Sequence, residues 1–358
     1  MQHTILVGSY SSEITALEFD TSTSPPTLSV SASFPTGKNP SWISPHPSDK
    51  SLLVAGNEVP DGKIQLFKFD QAQKTLELLG ERPSGGADPA HILVLEDEII
   101  VANYTGGTVQ VVPLTLDPPS LGTPSQVFQL TGTSVNTTRQ ESSHPHQAVL
   151  HLEGHEVLVP DLGADKILRF AKENGKWVIK GSVDITPGAG PRHIVIYENK
   201  LYTVGELDNT LIVHEFPALP EEPRHITTLP TVRPPREADP AMIPAANILA
   251  PPTPTFPTPF IYVTNRNDPH PEGDSIAIYS LSSPDEASPG GVTLVNEVHT
   301  GMKHARGLAI GGPDDKYLII GGVHGGGIKV FERTKGGASL KEVAKLEGVE
   351  KPTGFVWL

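Results

Sequence analysis

The side chains best suited to chemistry in this chain sit in four short phrases: HPHQ at 144–147, GPRH at 190–193, GELDN at 205–209 and TNRN at 264–267. They supply one histidine, one glutamate and two arginines: His146, Glu206, Arg192 and Arg266. An imidazole titrates near neutrality and shifts readily beside a carboxylate or an arginine, so His146 is a natural proton carrier. A carboxylate beside two arginines stays ionised, which leaves Glu206 to act as a base, to orient the histidine, or simply to neutralise the arginines. One carboxylate supplies half the anionic charge that two guanidiniums need. The remainder points to an anionic ligand.

The whole chain is acidic, with a formal charge of −14 over 358 residues. That balance argues against a nucleic-acid partner, which normally requires a basic face. It leaves room for a local basic pocket. There is no cysteine, so thiol nucleophiles, thiolate ligands and disulfides are excluded. The start, MQHTILVGSY, has neither a basic leader nor a long apolar core, and no apolar run approaches membrane-spanning length. A soluble cytoplasmic protein with a small-molecule substrate and no membrane partner is expected. Asn136-Thr137-Thr138 matches a glycosylation acceptor, but reads as a chance surface triplet in that setting.

What positions the four phrases is a repeat. Glycine (34 residues) and proline (36) are abundant, which favours many turns over long helices. The best helical candidate is ASLKEVAKLEGVEK at 338–351. Elsewhere the chain repeats a unit of strand, gap, strand, turn and strand: DPAHILVLEDEIIVANYTGGTVQVVPL, HPHQAVLHLEGHEVLVPDLGADKILRF and GPRHIVIYENKLYTVGELDNTLIVHEF are three of six full copies. The second strands end at Gly8, Asn57, Asn103, Asp161, Glu206, Asn265 and Gly322, a spacing of 45 to 59 residues. That period predicts an all-β, seven-bladed β-propeller with four antiparallel strands per blade. TILVGSYSSEITALEF lacks a first strand, and the terminal KPTGFVWL supplies one, so the first blade is closed by strands from both termini. The chain reads as a single domain over 1–358, with long Pro/Thr-rich surface loops near 115–143 and 217–245.

In such a blade the first strand lines the central channel and the second runs antiparallel beside it. The start of one and the end of the other share a channel mouth. That mouth collects, besides the quartet, Trp42, Glu58, His91, Asn103, Tyr104, His144, Asp161, His193, His304, Arg306 and His324. All but Glu58 are taken as substrate-binding candidates. Each also has a structural reading: His91, His193 and His304 as links between blades, Asn103 and Asp161 as turn caps, Trp42 as channel packing. His144 and His146 share a strand face at a spacing that could serve a metal, with Asp161 nearby, but no second ligand cluster accompanies them. No metal and no cofactor are expected. GGVHGGG lacks the following helix of a nucleotide-phosphate loop, and no serine nucleophile elbow occurs.

At these residues the sequence resembles the seven-bladed lactonase-type propellers, which include propeller-type 6-phosphogluconolactonases and fungal 3-carboxy-cis,cis-muconate cyclases. GGADPAHILV, SHPHQAV with VLVPDLGADKILRF, GPRHIVIY with GELDNTLIVHEF, and IYVTNRN carry the resemblance, which covers nearly the whole chain. The cyclase pattern places the site on His146, Arg192, Glu206 and Arg266. It implies a cofactor-independent enzyme that closes or opens an oxygen ring, with arginines clamping substrate carboxylates and His146 and Glu206 moving the proton. Three other readings accompany this muconate-cyclase-like one. They are a fungal secondary-metabolism dehydratase or cyclase acting on an oxygenated aromatic, a 6-phosphogluconolactonase-like hydrolase, and a non-catalytic interaction propeller. The phrases HPHQ and VPDLGAD look more like the lactonase branch than the cyclases.

Overall fold

In a computed structural model, residues 1–151, 155–281 and 288–358 are described. They form seven sheets of antiparallel strands arranged as a ring of blades. The first blade consists of Gln2–Ser9, Glu13–Asp20 and Thr27–Pro35, completed on its inner side by Pro352–Trp357 from the other end of the chain. The inner strand pairs from Ile5↔Trp357 to Ser9↔Pro352, so the ring closes by backbone hydrogen bonds. Among the described residues no helix is long and apolar enough to cross a membrane.

The second strands are the apolar runs of the repeat, and they are buried on both faces. Leu52–Asn57, Glu156–Asp161 and Phe260–Arg266 have no exposed residue. Each face packs against a different neighbouring blade, which is why these runs are continuously apolar rather than alternating. The core is accordingly divided into seven clusters, one at each blade–blade interface. Leu158 packs towards the fifth blade, while Val157 and Val159 pack towards the third. The outer strands, such as Thr75–Pro83, are largely exposed.

Two expectations are corrected here. ASLKEVAKLEGVEK is not helical: Ser339–Leu346 is the outer strand of the seventh blade. Its register shifts at Val330/Phe331, whose partners are Ala344 and Glu342, so Val343 is an extra, bulged residue. The bulge turns adjacent Val343 and Ala344 both towards the first blade while Leu340 packs towards the sixth, so apolar residues fall at 340, 343 and 344, the i, i+3, i+4 spacing of a helix. The segments read as surface loops also contain strands. The outer strand of the third blade is split into Pro119–Leu121 and Gln126–Gln129, and Arg224–Pro230 forms that of the fifth. Ile243–Ala250 then begins the sixth blade before the second expected loop has ended.

Blades are tied together at the ends of the second strands. The amide Nδ2 of Asn57 donates to Thr36 O and Lys38 O, that of Asn103 to Ser84 O, and that of Asn265 to Thr231 O. In each case the acceptor follows the outer strand of the preceding blade. Such amides are fully buried, so deleting one leaves a carbonyl unpaired. Asn265→Ala is therefore expected to cost about 2 kcal/mol in a denaturant titration, with the far-ultraviolet circular dichroism spectrum retained.

Candidate functional site

The inner strands, which line the channel, start irregularly. Register shifts fall at Pro40/Trp42, Pro89/His91, Pro191/Ile194, Pro244/Asn247 and between Lys303, Ala305 and Leu308. A regular strand points neighbouring side chains to opposite faces. A bulge breaks that alternation and re-aims side chains, as bulges beside active sites commonly do. Arg192 and His193, adjacent in sequence, therefore both line one central cavity. Proline begins several of these strands because their channel edge needs no N–H donor there.

At the mouth Glu206 is the centre of charge. Arg192 Nε lies 2.6 Å from its Oε2, and Arg266 Nη2 lies 2.9 Å from the same oxygen. Arg139, from the segment between the third and fourth blades, pairs with Oε1 and reaches Tyr104 Oη at 3.4 Å. Glu206, Arg192 and Arg266 are all buried. Burial alone would raise the Glu206 carboxyl, but Arg266, Arg192 and Arg139 overcome it and hold the group at about 2. Burial and the neighbouring Arg266 pull Arg192 down to about 9, so its guanidinium remains charged at neutral pH.

Arg192 is close to Glu206 without being satisfied by it. Its Nε–H is not aligned on an acceptor, and no guanidinium hydrogen bond is formed by Arg192 among the described residues. Arg306 is held more loosely, 3.4 Å from Glu58 Oε2 and with its guanidinium carbon 4.9 Å from the centre of the Tyr10 ring. Tyr10 Oη donates to Glu58 at 2.8 Å. Four guanidiniums (Arg139, Arg192, Arg266, Arg306) thus face two carboxylates, Glu58 and Glu206.

Beside the arginines runs a belt of rings. Trp42 packs on His91 with centroids 4.2 Å apart, His193 meets His146 at 5.3 Å, and His146 meets Tyr104 at 5.4 Å. Burial, then Arg192, keeps His146 and His193 far below the usual imidazole value and brings His91 to about 3. All three are neutral at physiological pH. His146 Nδ1 and His193 Nε2 are buried without a hydrogen-bond partner. His91 Nδ1 accepts from Ala148 N–H at 3.3 Å, so His91 links two blades.

Of the predicted residues, His146, Arg192, Glu206, Arg266, Trp42, His91, Tyr104, His193 and Arg306 converge here. Others do not. Asn103 is one of the inter-blade amides, and Asp161 accepts from Ser143 Oγ and from the N–H groups of His144, Gly163 and Ala164, which makes both of them structural. His144 stacks on Tyr104 at 4.6 Å with its Nε2 against Glu141, so the His144, His146 and Asp161 set is not gathered on one point. His304 and His324 pair with each other at 4.5 Å in a separate groove with Asp268 and His270. In that region Asp268, Glu297 and His299 come close, but the Arg236 guanidinium sits on both carboxylates. Glu206 is engaged by arginines and makes no hydrogen bond to His146, which favours its counter-charge role.

Two residues escaped sequence reasoning. Tyr10 occupies the position after its second strand, as Glu58, Tyr104 and Glu206 do in theirs, and that shared register was the available signal. Arg139 lies in an irregular insertion, where no periodicity predicts a neighbour.

Fold and site together define a propeller whose channel mouth concentrates an excess of positive charge beside neutral histidines. The family profile described as Lactonase, 7-bladed beta-propeller matches residues 4–357, and the chain belongs to that family. It is 28% identical over 301 residues to the 6-phosphogluconolactonase of Bacillus subtilis, covering 83% of this chain and 81% of the relative. A 6-phosphogluconolactonase of Formosa agariphila is 25% identical over 304 residues, covering 82% and 81%. The fold also matches the periplasmic gluconolactonase of Pseudomonas aeruginosa with a TM-score of 0.81, at 20% identity and covering 100% of this chain and 99% of that one.

The ring belt makes a pH prediction. His91 is neutral in the folded chain and takes up its proton readily only when unfolded, so acid favours unfolding as pH falls from about 6.5 towards 3. The linkage amounts to about 1.4 kcal/mol per pH unit for one such group. Melting temperature should fall steadily between pH 7 and pH 4, and His91→Gln should make that slope shallower. An unchanged slope would contradict the burial of a neutral imidazole.

Proposed function

We propose that this protein hydrolyses a small anionic lactone, as its 6-phosphogluconolactonase-type relatives are named for doing. The observation that carries this reading is an excess of guanidinium charge, four guanidiniums against Glu58 and Glu206, with Arg192 and Arg306 beside the neutral imidazole of His146 in one cavity. The imidazole is in its base form over the physiological range. His146 takes a proton from water as the water oxygen adds to the lactone carbonyl carbon. The oxyanion that forms is stabilised by the free Arg192 N–H groups, while Arg306 holds the anionic substituent. The ring C–O bond then breaks, and the imidazolium returns its proton to the departing ring oxygen. The product is an open hydroxy acid. Glu206 keeps Arg192 and Arg266 in place as their counter-charge.

Ring closure would use the same groups, because it makes or breaks the same C–O bond. The names of the relatives support opening, and thus hydrolysis over the cyclase reading.

The test is turnover of two anionic lactones, 6-phosphogluconolactone and an alkyl lactone acid, each measured above its spontaneous hydrolysis. His146→Ala should lower kcat by about 10²- to 10⁴-fold. Arg192→Ala should lower kcat/KM by about 10²-fold. Melting temperatures of both variants establish that they are folded. Wild-type rates from both folded variants would refute the assigned roles.

A further inference from the structure

The cavity behind the arginine layer has a volume of about 450 Å³ and two chemically different ends. One end presents Arg192, Arg306, His146, His193 and Trp42. Further along the inner strands from their starts at the mouth, the cavity wall includes Ile196, Ile248, Leu249, Leu308 and Phe355, with the amides of Gln147 and Asn247 among them. The five apolar side chains are half-buried. Each packs one side against an inter-blade core cluster and turns the other to the cavity. None offers a side-chain hydrogen bond. A cavity of this size, mostly apolar with a few fixed polar groups at one end, is the usual form of a small-molecule site.

The polar end also lacks something. Arg192 is buried, its Nε lies 2.6 Å from Glu206 Oε2 without being aligned on it, and its guanidinium forms no other hydrogen bond among the described residues. Buried donors left unpaired cost stability unless a ligand completes them. The missing partner carries negative charge, because the mouth holds two more guanidiniums than carboxylates.

We propose that the channel binds a small anion with an apolar body. A simple carboxylate sits between Arg192 and Arg306, whereas in a lactone substrate Arg306 keeps the charged group and Arg192 takes the carbonyl; the hydrocarbon portion lies against Ile196, Ile248, Leu249, Leu308 and Phe355. Resting on the lactonase reading, this makes the substrate an amphipathic anionic lactone, with an alkyl or aryl substituent in place of a row of hydroxyls. A polyhydroxylated substituent would surrender water hydrogen bonds to these side chains and regain none.

The experiment is a calorimetric titration of the purified protein with acetate, butanoate, hexanoate and octanoate, with hexanol as the uncharged control. Affinity should rise by about fourfold for each methylene transferred from water to the apolar wall. Hexanol should bind at least about tenfold more weakly than hexanoate, because it forgoes the charge-assisted contact with Arg192. Leu308→Asn should flatten the series, its folding checked by melting temperature. Should that variant misfold, the wild-type series alone decides. Affinity independent of chain length, or equal binding of hexanol, overturns the proposal. Turnover of 6-phosphogluconolactone is measured on the same preparation. A flat series with turnover leaves the hydrolytic reading and removes the apolar one. A steep series with turnover of neither 6-phosphogluconolactone nor an alkyl lactone acid keeps the binding site and removes the hydrolytic reading.

Discussion

A single carboxylate shared among three guanidiniums is the interaction on which the site depends. Glu206 collects Arg139, Arg192 and Arg266 from three separate parts of the chain. Buried like charges repel strongly where water cannot screen them, and removing the counter-ion of such a group leaves uncompensated buried charge. The carboxylate therefore permits the arginines to gather. It does so without exhausting them, since Arg192 touches Glu206 and still forms no aligned hydrogen bond. Burial, reinforced by the same positive field, keeps the neighbouring imidazoles unprotonated.

Such a cluster needs a stiff frame, and the ring supplies it. Seven inter-blade clusters press the second strands between neighbours, and buried amides at the ends of three of them hold the second, third and sixth blades to the one before. Register shifts at the inner-strand starts then turn adjacent residues towards the channel. Regularity fixes where the mouth is. Irregularity decides what it presents, as Arg192 and His193 show.

Much of this was legible in the chain. The repeat spacing predicted seven blades and a shared first blade, because a blade is a local unit whose apolar strands and turn residues recur at one period. The quartet His146, Arg192, Glu206 and Arg266 followed from strand ends meeting at one mouth. The helical reading of 338–351 failed because the bulge at Val343 breaks the alternation and sets Val343 beside Ala344, three and four residues after Leu340, as a helix would. Pro/Thr-rich composition concealed the outer strands Gln126–Gln129 and Arg224–Pro230, since exposed edge strands carry little apolar signal. His304 and His324 shared the mouth's sequence register but lie in a different groove.

By itself, then, the sequence determined the architecture and the chemical inventory of the mouth: repeats encode blades through periodic burial, and strand ends must meet where antiparallel pairing brings them. Only the tertiary structure decided the state of that inventory. The convergence of Arg139 on Glu206, the neutral form of three histidines, the spare hydrogen bonds of Arg192 and the apolar far half of the channel arise from contacts between distant segments. Burial and charge proximity there depend on three-dimensional distance, to which spacing along the chain is blind.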